Sequence, residues 1–196
     1  MSQYDLTVRP ITAADSAAVI DLANRVHGDN YLNEASLTAL LEGGTEGSVK
    51  LNYLAEHAGR IVGIRLTLAP GNWSVDDACT VERWPLPASR ICYFKCAAVD
   101  EQARGMGIGK KLLQHSINAA KQIGCQAGLA HIWMQSPNNS AYEYFSRCGG
   151  VLINRHPDRW LQASLNDGYH CIVCDGVCHC EAGEMMLSFD SFDSPA

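Results

Sequence analysis

No apolar run in the 196-residue chain approaches the roughly 20 residues that span a bilayer, so no membrane partner is expected. The start, MSQYDLTVRP, has no basic stretch followed by an apolar one. No secretory signal is therefore read there, and the expected compartment is cytoplasmic. Basic charge is scarce as well: 15 Lys and Arg stand against 21 Asp and Glu, a formal net charge of −6. Bulk nucleic-acid binding needs a broad basic face, so this balance argues against it while leaving room for a local basic pocket. There is no internal repeat, which excludes solenoid architectures. What the chain does have is 47% hydrophobic residues. At this length that suffices for one domain with a core needing no covalent staples.

The pattern along the chain alternates strands and helices. Residues 4–11 alternate loosely and end at Pro10, as a short edge strand does. Thr12 followed by Asp15 resembles a capping box, and Val19, Leu22, Ala23 and Val26 repeat at helical spacing. These predict a helix over 13–26, ended by His27-Gly28. A weaker helix is expected over 34–42. Residues 50–56 and 60–68 flank His57-Ala58-Gly59 and predict a hairpin. Residues 70–89 carry Pro70, Pro85, Pro87, Trp73 and Trp84 and read as a long loop, which usually has a task or is mobile. The apolar run 90–99 suits a central strand. A helix within 104–124, a strand over 126–134 and a helix capped by Asn138 or Asn139 follow. That helix is expected to reach Arg147, with further strands over 151–155 and near Met185–Phe189. This order indicates an α/β or α+β domain.

The segment Arg104-Gly105-Met106-Gly107-Ile108-Gly109 falls between the central strand and a helix. Its glycines let a ligand approach the backbone closely, and the free N–H groups of a helix start favour an anion. A P-loop does not fit, because its first glycine would fall on Arg104 and Lys111 stands where Ser or Thr is required. A dinucleotide fingerprint does not fit either: the third glycine comes one position early and no acidic residue occurs from Gln102 through Tyr142. The same stretch carries Arg104, Lys110, Lys111 and Lys121. The most basic segment thus surrounds the loop, as a phosphate-bearing ligand would require.

R-x-x-G-x-G between a strand and a helix resembles the GCN5-related N-acetyltransferase (GNAT) superfamily, in which this loop holds the pyrophosphate of acetyl-CoA. A second signature is similar to the family's N-x-x-A-x-x-x-Y-x-x-x-G segment: Asn138, Ala141 and Gly149 match, while Phe145 stands at the Tyr position and Tyr144 precedes it. The resemblance covers roughly residues 4–155. It implies a mixed central sheet flanked by helices, with an acetyltransferase domain over 1–160 and a Cys-rich C-terminal extension over 161–196 packed on the same domain. It also implies acetyl-CoA as cosubstrate, bound by Ala97, Ala98, Val99, Arg104, Gly105, Met106, Gly107, Ile108, Gly109, Lys110 and Asn138. The backbone near Ala98-Val99 would face the oxyanion.

Acetyl transfer to an amine is aminolysis of a thioester. An amine of pKa about 10.4 is mostly protonated at neutral pH, so its proton needs an acceptor. His131 is a candidate base or a buried structural histidine. Tyr144, and less so Tyr142, could protonate the leaving thiolate, or both could be packing residues. Cys96 could carry an acyl group or be a buried inert thiol. The acceptor is expected to be a small-molecule or peptide amine, with a cationic one hinted at by the acidic remainder of the chain. A homodimer is left open. The alternatives are a catalytically silent acyl-CoA-binding sensor and an interaction module built on the Cys-rich tail.

Nine cysteines is a high and odd count, and four of them, Cys171, Cys174, Cys178 and Cys180, fall within ten residues. C-x-x-C followed, after an Asp175-Gly176 turn, by C-x-C offers four thiolates to a tetrahedral zinc ion, with His170 and His179 as spare ligands. Buried free thiols, or a disulfide such as Cys171–Cys180, are the other readings.

Overall fold

The structure, a computed structural model, describes residues 6–174 and 176–193. In chain order the elements are β1 (Leu6–Pro10), α1 (Ser16–His27), α2 (Glu34–Gly43), β2 (Thr45–Glu46), β3 (Val49–Lys50), β4 (Tyr53–His57) and β5 (Arg60–Leu68). These are followed by β6 (Ile91–Val99), α3 (Ile108–Gln122), β7 (Ala127–Trp133), α4 (Ser140–Arg147), β8 (Val151–His156), α5 (Leu161–Asn166), β9 (Ala182–Ser188) and α6 (Phe189–Asp193). Seven strands form one sheet in the order β1-β4-β5-β6-β7-β9-β8, and β2 and β3 form a separate ribbon. All neighbours in the large sheet are antiparallel except β6 and β7.

Helices cover both faces. α1 and α2 bury Val19, Leu22, Ala23 and Leu37 against Leu54, Ile64, Leu66, Cys96 and Ala98. On the other face, α3 buries Leu113, Ile117 and Ala120 in a cluster with Cys92, Phe94 and Phe145. Ile108 and Leu112 pack against Ala55 and Val62. Each such aliphatic side chain contributes about 1.5–3 kcal/mol by leaving water. The edge strand β1 is clamped by Arg9, which bonds Asp15 at 2.7 Å and Glu56 at 3.0 Å. Asp15 also reaches back to the Thr12 N–H at 2.8 Å, as a capping box requires, although a 3-10 turn over Ala13–Asp15 precedes α1.

The chain differs in detail from the sequence expectation. The C-terminal segment, expected to pack on the same domain with a last strand near Met185–Phe189, supplies β9, which is hydrogen-bonded between β7 and β8. Its near-continuous burial, from Ala182 to Leu187, is that of an interior strand. β9 also begins earlier than expected, and Phe189 opens α6 instead of closing the strand. Neither Asn138 nor Asn139 caps α4 through its side chain: both are left-handed, and the Ser136 hydroxyl accepts from the Ala141 N–H at 3.0 Å. Pro137 makes the turn that brings Ser136 over that N–H.

Candidate active site

The site begins where the sheet comes apart. β6 and β7 pair only through Ile91–Ala127, Cys92–Gly128 and Tyr93–Leu129. Beyond Tyr93 they diverge, β6 continuing beside β5 and β7 beside β9. The result is a wedge between the C-terminal ends of two parallel strands, and on that side β6 has no strand partner for its backbone. A bulge marks its mouth. Leu66 pairs with Cys96 and Thr67 with Phe94, leaving Lys95 as the extra residue. The bulge also shifts side-chain phase: Cys92 and Phe94 belong to the α3–α4 core, while Cys96 and Ala98 pack under α1 and α2.

On the α3 face the glycine loop leads from a 3-10 turn at Glu101–Ala103 into the helix. Gly105 and Gly107 have φ of 81° and 73°, and a Cβ at either would meet no protein atom within 4 Å. The loop therefore presents bare backbone to open space in a conformation that other residues resist. The first helical bond runs from the Lys111 N–H to the Gly107 carbonyl at 3.1 Å. The preceding N–H groups form the electropositive end of the helix. Arg104 and Lys110 are both exposed beside them, and Lys111 is half-buried. The Ile108 and Met106 side chains pack into the core, so these two serve the loop by backbone alone. Ala97, Ala98 and Val99 line the last part of β6 opposite Arg65, Ile64 and Gly63. Gly109 lies under the Tyr144 ring, and Asn138 sits in the turn before α4.

α4 turns its two neighbouring aromatics to different surroundings. Phe145 is 1% exposed and meets Phe94 edge-on at 6.1 Å between ring centres. Tyr144, about 100° around the helix, turns to the start of α3. Its hydroxyl donates to the Gly109 carbonyl at 2.8 Å and accepts from Arg65 Nη2 at 3.3 Å. Arg65 is 2% exposed, its guanidinium 4.8 Å from the Phe94 ring centre and its Nε without a partner. Among the described residues no carboxylate pairs with it. A buried guanidinium lacking a carboxylate partner is costly. Burial pushes the Tyr144 phenol up, and Arg65 opposes that rise. The sequence reading did not single out Arg65; its signal was one charge inside the apolar strand RIVGIRLTL.

On the opposite face the wedge is covered by the loop over 69–90. Its anchor is Glu184, fully buried on β9. Oε1 accepts from the Thr80 N–H at 2.9 Å and Trp84 Nε1 at 2.7 Å, and Oε2 accepts from His156 Nε2 at 3.1 Å. Burial works to raise this carboxyl, but the hydrogen bonds from Thr80 and Trp84 outweigh it and hold the pKa below its ordinary value. His131 uses both ring nitrogens. Nε2 donates to the Ala78 carbonyl at 2.6 Å, which leaves Nδ1 to accept from the Tyr93 hydroxyl at 2.9 Å. Burial lowers its pKa and pushes the Tyr93 phenol up to about 12.

Arg159 pairs with Asp76 at 2.7 Å beside them. Lys95 is open to solvent, and desolvation by the surrounding protein lowers its pKa. Cys96 lies 3.4 Å from His27 Nε2, and burial raises its thiol to about 11 and lowers His27 to about 4. Cys96 is thus a buried neutral thiol, unsuited to carry an acyl group. Tyr93, Lys95, Asp76 and Arg159 escaped the sequence reading, because no local spacing joins them.

The tail cysteines converge. The Sγ atoms of Cys171, Cys174, Cys178 and Cys180 all lie within 4.8 Å of one another, with Cys171–Cys180 at 3.8 Å and Cys174–Cys180 at 3.6 Å. All nine cysteines are free, so the Cys171–Cys180 disulfide is not formed. His170 and His179 do not join the group: both are exposed, and His179 pairs with Asp158 at 2.7 Å. Asp175 of the expected turn lies outside the described residues. No helix among the described residues is long and apolar enough to cross a membrane.

A parallel strand pair thus splits beside a glycine-rich helix start whose free N–H groups suit an anion. The model of the acetyltransferase (GNAT) family matches residues 19–150, and the chain belongs to that family of acyl-CoA-dependent acetyltransferases. No curated protein matches the chain by sequence. Among solved structures it is similar to Ard1 from Thermoplasma volcanium, with TM-score 0.67, 17% identity, and 94% of this chain and 97% of that one covered. It is also similar to yncA from Salmonella typhimurium, solved with its cofactor acetyl-CoA, with TM-score 0.66, 18% identity and 98% of both chains covered. Arabidopsis thaliana Naa50, solved with the bisubstrate analogue CoA-Ac-MVNAL, gives TM-score 0.63, 16% identity, and 94% and 99% coverage. At these identities the likeness concerns the fold.

Proposed function

We propose that this protein is an N-acetyltransferase that moves the acetyl group of acetyl-CoA to a primary amine by direct attack. The observation that carries the reading is the wedge itself. It has bare backbone and an electropositive helix end on one side, with the buried Arg65 bonded to Tyr144 near it, and a hydrogen-bonded Tyr93–His131 pair on the other side. The pyrophosphate is assigned to the backbone of 104–110, with Arg104 and Lys110 adding charge. The pantetheine arm runs along Ala97–Val99 and past Asn138. The thioester carbonyl sits against the free edge of β6, whose N–H groups near Ala98-Val99 stabilise the oxyanion.

The amine enters from the side of Lys95 and Arg159. As nitrogen attacks, Tyr93 takes a proton and passes its own to His131 Nδ1, the acceptor already in place. The tetrahedral intermediate collapses and the C–S bond breaks. Tyr144, relieved of its bond to the Gly109 carbonyl, protonates the thiolate, while the Arg65 guanidinium steadies the negative charge. Holding amine and thioester together supplies much of the rate.

Two cations against one carboxylate at the acceptor entrance favour an amine that also carries an anionic group, in place of the cationic acceptor expected from composition. The test is thiol release from acetyl-CoA with a panel of amines, half of them amino acids or acidic peptides. Turnover restricted to those acceptors supports the reading. Tight CoA binding in calorimetry with no amine consumed would replace it with the sensor reading.

A further inference from the structure

We propose that Cys171, Cys174, Cys178 and Cys180 bind one structural zinc ion, and that this site fixes the wall of the amine cleft. Three features of the segment carry the first half. A tetrahedral ion with bonds to sulfur of about 2.3 Å sets its sulfurs about 3.8 Å apart. The observed 3.6 and 3.8 Å, with no pair beyond 4.8 Å, match a shell of four thiolates. The segment is also turned inside out. Ile172, Val173 and Val177 are 50%, 48% and 41% exposed, while Cys171, Cys178 and Cys180 are buried. Apolar collapse alone would bury the larger aliphatic side chains first. The sulfurs, in a niche lined by Trp133, Trp160 and Tyr169, are what the segment is folded around. Finally, from Asp167 to Glu181 the described residues form neither helix nor strand. A loop of that length held in one shape needs a staple. Soft thiolates in tetrahedral array select zinc or iron, and a shell of four leaves no open position for chemistry.

The second half follows from what the segment touches. The Tyr169 hydroxyl donates to the His27 carbonyl at 3.1 Å, the His170 N–H to the Asp29 carbonyl at 3.2 Å, and Asn30 Nδ2 to the Gly168 carbonyl at 3.1 Å. Gly28 has φ of 118°, and a Cβ there would lie 2.0 Å from the His170 carbonyl oxygen, so only glycine admits this contact. The Tyr31 ring meets Tyr169 edge-on at 6.2 Å. On the other side the Arg159 N–H donates to the Cys180 carbonyl at 3.1 Å, which positions the residue paired with Asp76. The four-cysteine segment therefore braces the turn after α1 and the strand-side residue Arg159 at once. Among the described residues it has no such hydrogen bond to the glycine loop.

The metal assignment is independent of the proposed reaction; only the cleft-wall assignment rests on it. The full chain, purified without added metal, is expected to hold about one equivalent of zinc by elemental analysis. Cobalt(II) exchange should then give the visible bands of a tetrahedral thiolate site, and Cys174→Ser should lose them. Less than a tenth of an equivalent of zinc together with no cobalt bands overturns the site, as does a full equivalent of iron. For the wall, Tyr169→Phe keeps all four thiols. It should retain zinc and CoA affinity while raising the amine KM several-fold. An unchanged amine KM, or loss of CoA affinity in step with it, overturns the coupling and leaves the metal assignment standing.

Discussion

The two sides of the β6–β7 wedge are built on different plans. The proposed phosphate-binding side is one contiguous segment, Arg104–Lys110, held by the start of a single helix. The proposed acceptor side is gathered from the turn after α1, the loop over 69–90, the β6 bulge, β7, β9 and the region after β8. Its hydrogen bonds join residues as far apart as Thr80 and Glu184. A local motif can fail without unsettling the fold, whereas an assembled surface is the fold. Substitutions on the acceptor side should therefore register as lost stability, and those on the cosubstrate side as lost binding.

The largest effect is expected at Glu184. Glu184→Ala strands the Thr80 N–H and Trp84 Nε1 in a buried site and should destabilise the protein by about 3–5 kcal/mol. Glu184→Gln keeps an acceptor for both and should cost clearly less. Equal denaturation midpoints for the two variants would break the contrast between local and assembled sides.

His27 gives the next effect. It stays neutral in the folded protein down to a pKa of about 4, against 6.5 for an unperturbed histidine, because burial disfavours its cation. Stability is therefore undiminished above pH 6.5 and falls as pH drops from 6.5 toward 4, by about 3 kcal/mol over the window. His27→Gln should flatten this slope, and the difference between the two pH profiles removes the contribution of other groups. Identical profiles would show that His27 does not titrate with unfolding.

On the cosubstrate side, Gly107→Val should lower CoA affinity about 100-fold, or about 2.7 kcal/mol, in calorimetry. A Cβ there meets no protein atom within 4 Å, so the obstruction is expected to fall on the ligand. The strain of a left-handed valine, about 1–2 kcal/mol, leaves its stability well above that of Glu184→Ala. Arg104→Ala should weaken CoA several-fold. Unchanged affinity in both variants would remove the phosphate from this loop.

The smallest effect is expected at Tyr144→Phe, which deletes one hydroxyl. A roughly tenfold fall in kcat, with the alkaline limb of the pH profile lost and KM kept, is expected of the proton donor. An unchanged kcat across that limb would make Tyr144 a packing residue whose hydroxyl only bonds Gly109 and Arg65.

What the sequence determined alone was what repeats over a few residues. Helical spacing located α1, α3 and α4, alternation and glycine located the β4–β5 hairpin, and the order of glycines in 104–109 excluded two phosphate loops and matched a third. The spacing of four cysteines likewise marked a metal-like cluster before the sulfurs were seen to meet. Tertiary structure alone decided that β9 inserts between β7 and β8, and that a bulge at Lys95 re-aims β6. It also decided that Phe145 faces the core while Tyr144 faces Arg65, and that His131 spends both nitrogens on Tyr93 and Ala78. The physical reason is range. Dihedral preference and side-chain periodicity act between residues two to four apart, and the sequence displays them directly. Strand order and buried polar pairing instead depend on which distant surfaces exclude water together, and that is decided only when the whole sheet closes.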